Sequence, residues 1–308
     1  MNTPVRLGLF AGALIAIFAA AFGAGKVLVP ASAADAWHGD ADNSAHGAGH
    51  EASDSDAVSV RGIAAVDRGY ELHELDAPRV AGQSGELTFV LSSPDGAPLR
   101  EYVTEHEKDL HLIVVRTDGS EFRHVHPTLA ADGSWSLPWT WNAAGDYRVY
   151  ADFVPGALGE NLTLTTSFLV EGAVERSIAP SGDTAQAGPY EVTLDGDLTA
   201  ASGSSLSFVV TQSGEPVTLE PYLGANGHLV ALRHGDLAYL HVHPEHMDSS
   251  PGSAVSFIAQ VPSPGTYLLY LDFKVAGQVH TAAFIQTAAA QGADPRGAGS
   301  HGDDDATH

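Results

Sequence analysis

The chain has no cysteine among its 308 residues. Disulfides, thiolate metal sites, iron–sulfur clusters, cysteine nucleophiles and a thioether lipid anchor are therefore excluded, and a transition-metal site must draw on His, Asp, Glu, Met or backbone groups. Methionine is nearly absent too, with Met247 the only one besides the initiator. Positive charge is scarce: 14 Lys and Arg stand against 38 Asp and Glu, a formal net charge of −24. With no basic cluster, this argues against nucleic acid or anionic lipid as a partner, and an acidic surface instead enriches cations nearby. No long segment after residue 35 has helical periodicity, which leaves strands as the regular structure.

Histidine, by contrast, is plentiful, and it is repeated in a pattern. Residues 111–127 read HLIVVRTDGSEFRHVHP and residues 228–244 read HLVALRHGDLAYLHVHP. His111, Arg116, His124, His126 and Pro127 recur as His228, Arg233, His241, His243 and Pro244, each displaced by 117 positions (228 − 111). Three imidazoles kept at one spacing while apolar residues vary point to a constraint other than bulk hydrophobicity, and imidazole is a common metal ligand.

The repeat extends beyond this phrase. Tyr70-Glu71-Leu72 matches Tyr190-Glu191-Val192, and the strand YADF at 150–153 matches YLDF at 270–273. Each copy reads as about seven short strands separated by turn signals such as Asp118-Gly119 and Asp132-Gly133. That pattern predicts an all-β chain of two tandem immunoglobulin-like β-sandwich modules, without the cysteine pair of antibody domains. The expected organisation is a signal or transmembrane anchor at 1–33, a disordered His/Asp-rich linker at 34–62, modules at 63–171 and 189–288 joined by a linker at 172–188, and a disordered acidic tail at 289–308 carrying His301 and His308.

The N-terminal segment runs uncharged for 19 residues between Arg6 and Lys26. This exceeds the roughly 7–15 residues of a signal-peptide core and approaches the roughly 20 of a membrane span. Ala31-Ser32-Ala33 resembles a signal-peptidase site. An anchored and a cleaved reading both place the modules outside the cytoplasm, the first at the cell membrane and the second as a secreted protein.

Side chains alternate along a strand, so His124 and His126 share a side with Phe122, and His241 and His243 share one with Tyr239. A hairpin turning at Asp118-Gly119 brings His111 opposite His126, and the same construction brings His228 to His243. Each module is thus expected to gather three imidazoles around one ion. Asp152 and Asp272 sit at matching places in strands that otherwise read as core. They are expected to ligate the metal, to orient a ligand histidine, or to pair with Arg116 and Arg233. The second copy also carries His246, Met247 and His280, which favours it as the stronger site. His106, in a charged loop, is a peripheral candidate.

The HLVALR…LHVHP phrase resembles extracytoplasmic heavy-metal proteins, and each module is similar to the immunoglobulin-like domains of CopC-type copper-resistance proteins and YtkA-like proteins. In the CopC-type family copper is held by the mature N-terminal amine, a nearby His, and a later Asp and His. Modules that begin after a long tail depart from that arrangement. What the resemblance implies is a small sandwich with His and Asp at one edge, binding copper outside the cytoplasm.

The resulting expectation is a non-enzymatic protein that binds copper, or zinc, for sequestration or for delivery to a membrane metal transporter or cuproenzyme. The alternative is a cell-surface scaffold whose histidines form a structural network. A zinc hydrolase is a third reading, weakened because no general base flanks the phrase in both copies and no GxSxG motif is present.

Overall fold

The computed structural model describes residues 60–175, 177, 182–240, 242–245 and 252–290. The N-terminal apolar run, both tails, His241, His246 and Met247 lie outside the described residues. Among the described residues no helix is long and apolar enough to cross a membrane.

The first sandwich is built from β1 (Val66–Asp67), β2 (Tyr70–Asp76), β3 (Ser84–Ser92), β4 (Tyr102–Val103), β5 (Leu110–Arg116), β6 (Arg123–Val125), β7 (Thr128–Leu129), β8 (Ser134–Thr140), β9 (Gly145–Pro155) and β10 (Leu162–Val170). The second repeats the plan with β11 (Thr184–Ala187), β12 (Tyr190–Asp195), β13 (Gly203–Gln212), β14 (Glu215–Pro216), β15 (His228–Arg233), β16 (Tyr239–Leu240), β17 (Val242–Pro244), β18 (Ala254–Gln260), β19 (Gly265–Val275) and β20 (Gln278–Ala288).

In the first, one sheet runs β1-β2-β3-β8-β7 and the facing sheet β10-β9-β5-β6. In the second, the sheets run β11-β12-β13-β18-β17 and β16-β15-β19-β20. All strand pairs are antiparallel, and the two-sheet order is that of an immunoglobulin-like sandwich. Both copies therefore share one fold.

The two sheets of each copy differ in what they cover. On β12 (YEVTLD) and β18 (AVSFIAQ), burial alternates strictly, as in a sheet with one face in water. On β5 (LHLIVVR) every residue is buried, and β9 and β19 are buried almost throughout. Leu112, Val114, Val149, Ala151 and Phe153 face their own sandwich core, around Phe89, Trp135 and Trp141. Their alternates Ile113, Val115 and Tyr150 pack instead against Val230, Leu232, Leu237, Tyr239, Leu268 and Tyr270 of the second copy. The two sandwiches thus meet sheet to sheet through a third apolar core. Burying a side chain of this size stabilises by about 1.5–3 kcal/mol, so the junction is a packed interface and not a loose contact.

The junction is reciprocal. The Tyr150 hydroxyl donates to the carbonyl oxygen of Leu237, and the Tyr270 hydroxyl donates to that of Gly119, each at 2.6 Å. Phe122 stacks on Tyr270 with ring centroids 4.0 Å apart, and Tyr239 meets Tyr150 at 5.8 Å. The equivalent pairs Phe122/Tyr239 and Tyr150/Tyr270 exchange like contacts, and the two carbonyl acceptors lie one position apart in matching turns, close to a two-fold interface between like subunits. Gly119 holds a φ of +84°, and a Cβ there would stand 2.8 Å from Leu268, so this turn needs glycine for its backbone and for the approach of the other sandwich.

Candidate metal centre

The strands β5 and β6 pair with Leu112 opposite Val125 and Ile113 opposite His124, the register that a turn at Asp118-Gly119 predicts. His111 lies on the same face of β5 as Ile113 and Val115, toward the junction. The result is a close group of rings. His111 Nδ1 is 2.9 Å from His124 Nε2 and 3.2 Å from His126 Nε2.

The fourth ring comes from the other sandwich. His228 opens β15 on the face shared with Val230 and Leu232, and so points into the same junction. Its ring lies parallel to that of His111 at a centroid distance of 5.5 Å, and 4.8 Å from that of His124. Ligand nitrogens of His111, His124 and His228 all lie within 4.8 Å of one another. Each module was expected to close its own triad; the described residues form a single cluster drawing on both.

Among the described residues the second copy differs in where the chain changes sheet. β16 ends at Leu240, and β17 pairs with β18 in the opposite sheet, placing His243 opposite Ile258. His243 is exposed there. His280 also departs from its expected role. It stands opposite Phe273 and its ring packs on Phe273 and Tyr190, on the core side of β20 and away from the cluster.

The repeated carboxylates and arginines separate. Asp272 is buried, takes a hydrogen bond from Thr281 at 2.6 Å, and accepts another from His124 Nδ1 across the junction at 2.9 Å. Asp152 is held by Thr163 at 2.7 Å and Asn161 at 3.1 Å, beside Tyr239 of the other sandwich. Neither pairs with the repeated arginines: Arg116 forms a two-pronged pair with Asp118, and Arg233 does so with Asp236. In both cases a carboxylate two or three residues along the same turn is nearer than one on another strand.

Proton placement follows from these partners. His111 Nε2 faces the carbonyl oxygen of Glu105 at 3.2 Å, and a carbonyl only accepts, so the His111 proton sits on Nε2. His124 Nδ1 faces a carboxylate, so its proton sits on Nδ1. In that pair of tautomers the inner nitrogens His111 Nδ1 and His124 Nε2 turn lone pairs toward each other at 2.9 Å, a contact that a proton on His124 Nε2 relieves as a metal ion does. That contact repels unless a cation lies between or beside them. Burial, then the neighbouring His124, pushes the His111 imidazole down to about 4. Burial with the same neighbours takes His126 down to about 3, and burial holds His228 well below the ordinary range. These rings are poor homes for a proton at neutral pH.

The donor set fits a metal ion. Nitrogens around a tetrahedral ion at about 2.0–2.1 Å lie roughly 3.3 Å apart, so the His111–His124 and His111–His126 pairs at 2.9 and 3.2 Å need a small opening, while His228, within 4.8 Å of His111 and His124, has room to close in. The outer nitrogens are already bound to a carboxylate and a backbone carbonyl, which is how metal-ligating histidines are oriented. Sequence reasoning missed the crossing of His228 and Asp272 to the first module's histidines, because no periodicity encodes contacts between modules.

A family model described as a domain of unknown function, DUF8832, matches the chain twice, at residues 64–172 and 184–290. No curated protein matches. Among solved structures, the chain is similar to a Salmonella alpha-2-macroglobulin at 17% identity, covering 74% of this chain and 15% of that one with a TM-score of 0.26. It is similar to invasin, a bacterial integrin-binding protein, at 13% identity, 70% and 38% coverage and a TM-score of 0.20. It is similar to a membrane-anchored protein from Corynebacterium diphtheriae at 9% identity, 74% and 60% coverage and a TM-score of 0.23. The chain spans less than two thirds of each of these proteins. At these scores they say nothing of its activity.

Proposed function

We propose that this chain, which belongs to the DUF8832 family through both of its modules, binds one transition-metal ion between its two sandwiches. The ligands are His111, His124 and His228, with His126 beside them. The observation that carries this reading is the convergence of imidazole lone pairs at the junction, with the outer nitrogens already committed to Asp272 and the Glu105 carbonyl. Copper is preferred over zinc, because Cu²⁺ outcompetes Zn²⁺ at nitrogen sites and the chain offers no thiolate. The N-terminal segment would carry the site outside the cytoplasm, where it sequesters copper or delivers it to a membrane transporter or cuproenzyme.

A second reading has its own support. The reciprocal tyrosine bonds and the third apolar core would hold the two sandwiches together without an ion, as in a surface scaffold. Titrating the full chain with Cu²⁺ and Zn²⁺ distinguishes the two. Binding of one equivalent with a raised melting temperature supports the metal site, because a ligand of the native state stabilises it. A protein indifferent to micromolar metal is a scaffold.

A further inference from the structure

The loop before β5 carries a feature that the buried ligand set leaves unused. Residues 105–108 form a two-residue reverse turn: Glu105 N–H donates to the Lys108 carbonyl at 3.0 Å, and Lys108 N–H to that of Glu105 at 2.9 Å. His106 and Glu107 at its tip have φ of 46° and 65°. This mirror-image turn calls for positive φ at both tip positions, which favours Asn-Gly and strains other residues.

The second module builds the same turn 117 positions on (223 − 106). Tyr222 and Ala225 exchange the two backbone bonds, and Leu223 and Gly224 take the tip with φ of 58° and 84°. There the tip is an apolar residue, 3% exposed, followed by the preferred glycine. In the first module the apolar residue is replaced by an imidazole and the glycine by a carboxylate. The ring of His106 lies 5.5 Å from that of His228 and 6.1 Å from that of His111. It is partly exposed, as His126 and His228 are, whereas His111 is buried. The same turn supplies the Glu105 carbonyl that fixes the His111 proton.

We infer that His106 is the exchange ligand of the site, taking a copper ion from solution and passing it to the buried imidazoles, and releasing it by the same route. This rests on the metal-binding reading. Partly exposed, with its ring beside those of His228 and His111, His106 is placed for a stepwise handover. Glu107 and Asp109 flank Lys108 at the same turn, leaving a net negative charge that favours the approach of a cation. Leu223 shares the positive φ of His106, so the added backbone cost of the first module's tip lies at Glu107, which stands where the second module has Gly224.

The test uses the full chain, Cu²⁺ as the probe and a chromophoric chelator as acceptor in stopped flow. His106→Leu installs the residue that the other copy carries, and His106→Asn keeps a residue tolerant of positive φ, so at least one variant retains the turn. The expected result is one copper still bound, with uptake and removal slowed by roughly tenfold or more. Unchanged exchange rates with one copper retained would overturn the inference, as would loss of the copper altogether, which would make His106 an essential ligand. A wild-type chain that takes up no copper defeats the metal-binding reading itself, a separate outcome.

Discussion

His124 of the first sandwich donates its Nδ1 proton to Asp272 of the second, at 2.9 Å, with both side chains shielded from water. This bond crosses the junction, and it fixes which nitrogen of His124 faces His111. It ties the packing of the two modules to the chemistry of the cluster.

Replacing Asp272 with Asn therefore acts on the site from outside the ligand set. Copper affinity of Asp272→Asn is expected to fall by about 10–100-fold, the usual effect of losing a partner that orients a ligand histidine. His280→Ala, whose ring packs on Phe273 and Tyr190, is expected to leave the affinity unchanged. Competition titration with a chelator of known affinity measures both.

The junction itself should depend on its paired hydroxyls. Tyr150→Phe and Tyr270→Phe each leave a buried carbonyl, of Leu237 or of Gly119, without its donor. Each is expected to cost about 1–3 kcal/mol, read as a lower midpoint in urea unfolding with little change in slope.

The repeated arginines are predicted to be unequal. Arg116 is buried and donates to Asp118 and to the carbonyls of Ala144 and Glu175. Arg233 is partly exposed, and its ion pair is with Asp236. Arg116→Ala should lose several charge-assisted bonds, about 1.5–3 kcal/mol for each that leaves a buried partner. Arg233→Ala should cost under about 1 kcal/mol, as an accessible pair does. Both variants should bind copper as the wild type does, which would separate the structural part of the repeated phrase from its chemical part.

These contrasts show what the sequence made legible. Alternation along 122–126 and the Asp118-Gly119 turn were enough to set the His111 hairpin, because both are local. Within β5 the apolar residues 112–115 follow one another without polar alternation, as burial on two faces requires, and that makes room for a second sandwich. Which residues would meet there was hidden: His228 reaches His111 and His124 only because two sheets pack face to face. The change of sheet after Leu240 likewise moved His243 out of the register that its spacing implied. The arginines looked like partners for Asp152 and Asp272, yet Asp118 and Asp236 in their own turns were closer.

Acid should weaken the metal-free protein in a defined window. His111, His126 and His228 are neutral in the fold and have pKa values below the ordinary 6.5, so the unfolded chain binds more protons below that pH. Their contribution to stability is complete above about pH 6.5 and is lost as pH falls from there toward about 4 for His111 and about 3 for His126. Melting temperature in the presence of a chelator should drop across that range. His126→Gln should flatten part of the drop, whereas a decline arising from carboxylates alone would be unaffected.

The shared ownership of the site is tested most directly by copper stoichiometry in the full chain, comparing wild type with His228→Ala and His124→Ala. If one ion is held between the sandwiches, the wild type binds one tight equivalent, and each variant loses it although the two residues belong to different modules. Retention of that equivalent in His228→Ala, or two independent equivalents in the wild type, would contradict a single centre at the junction.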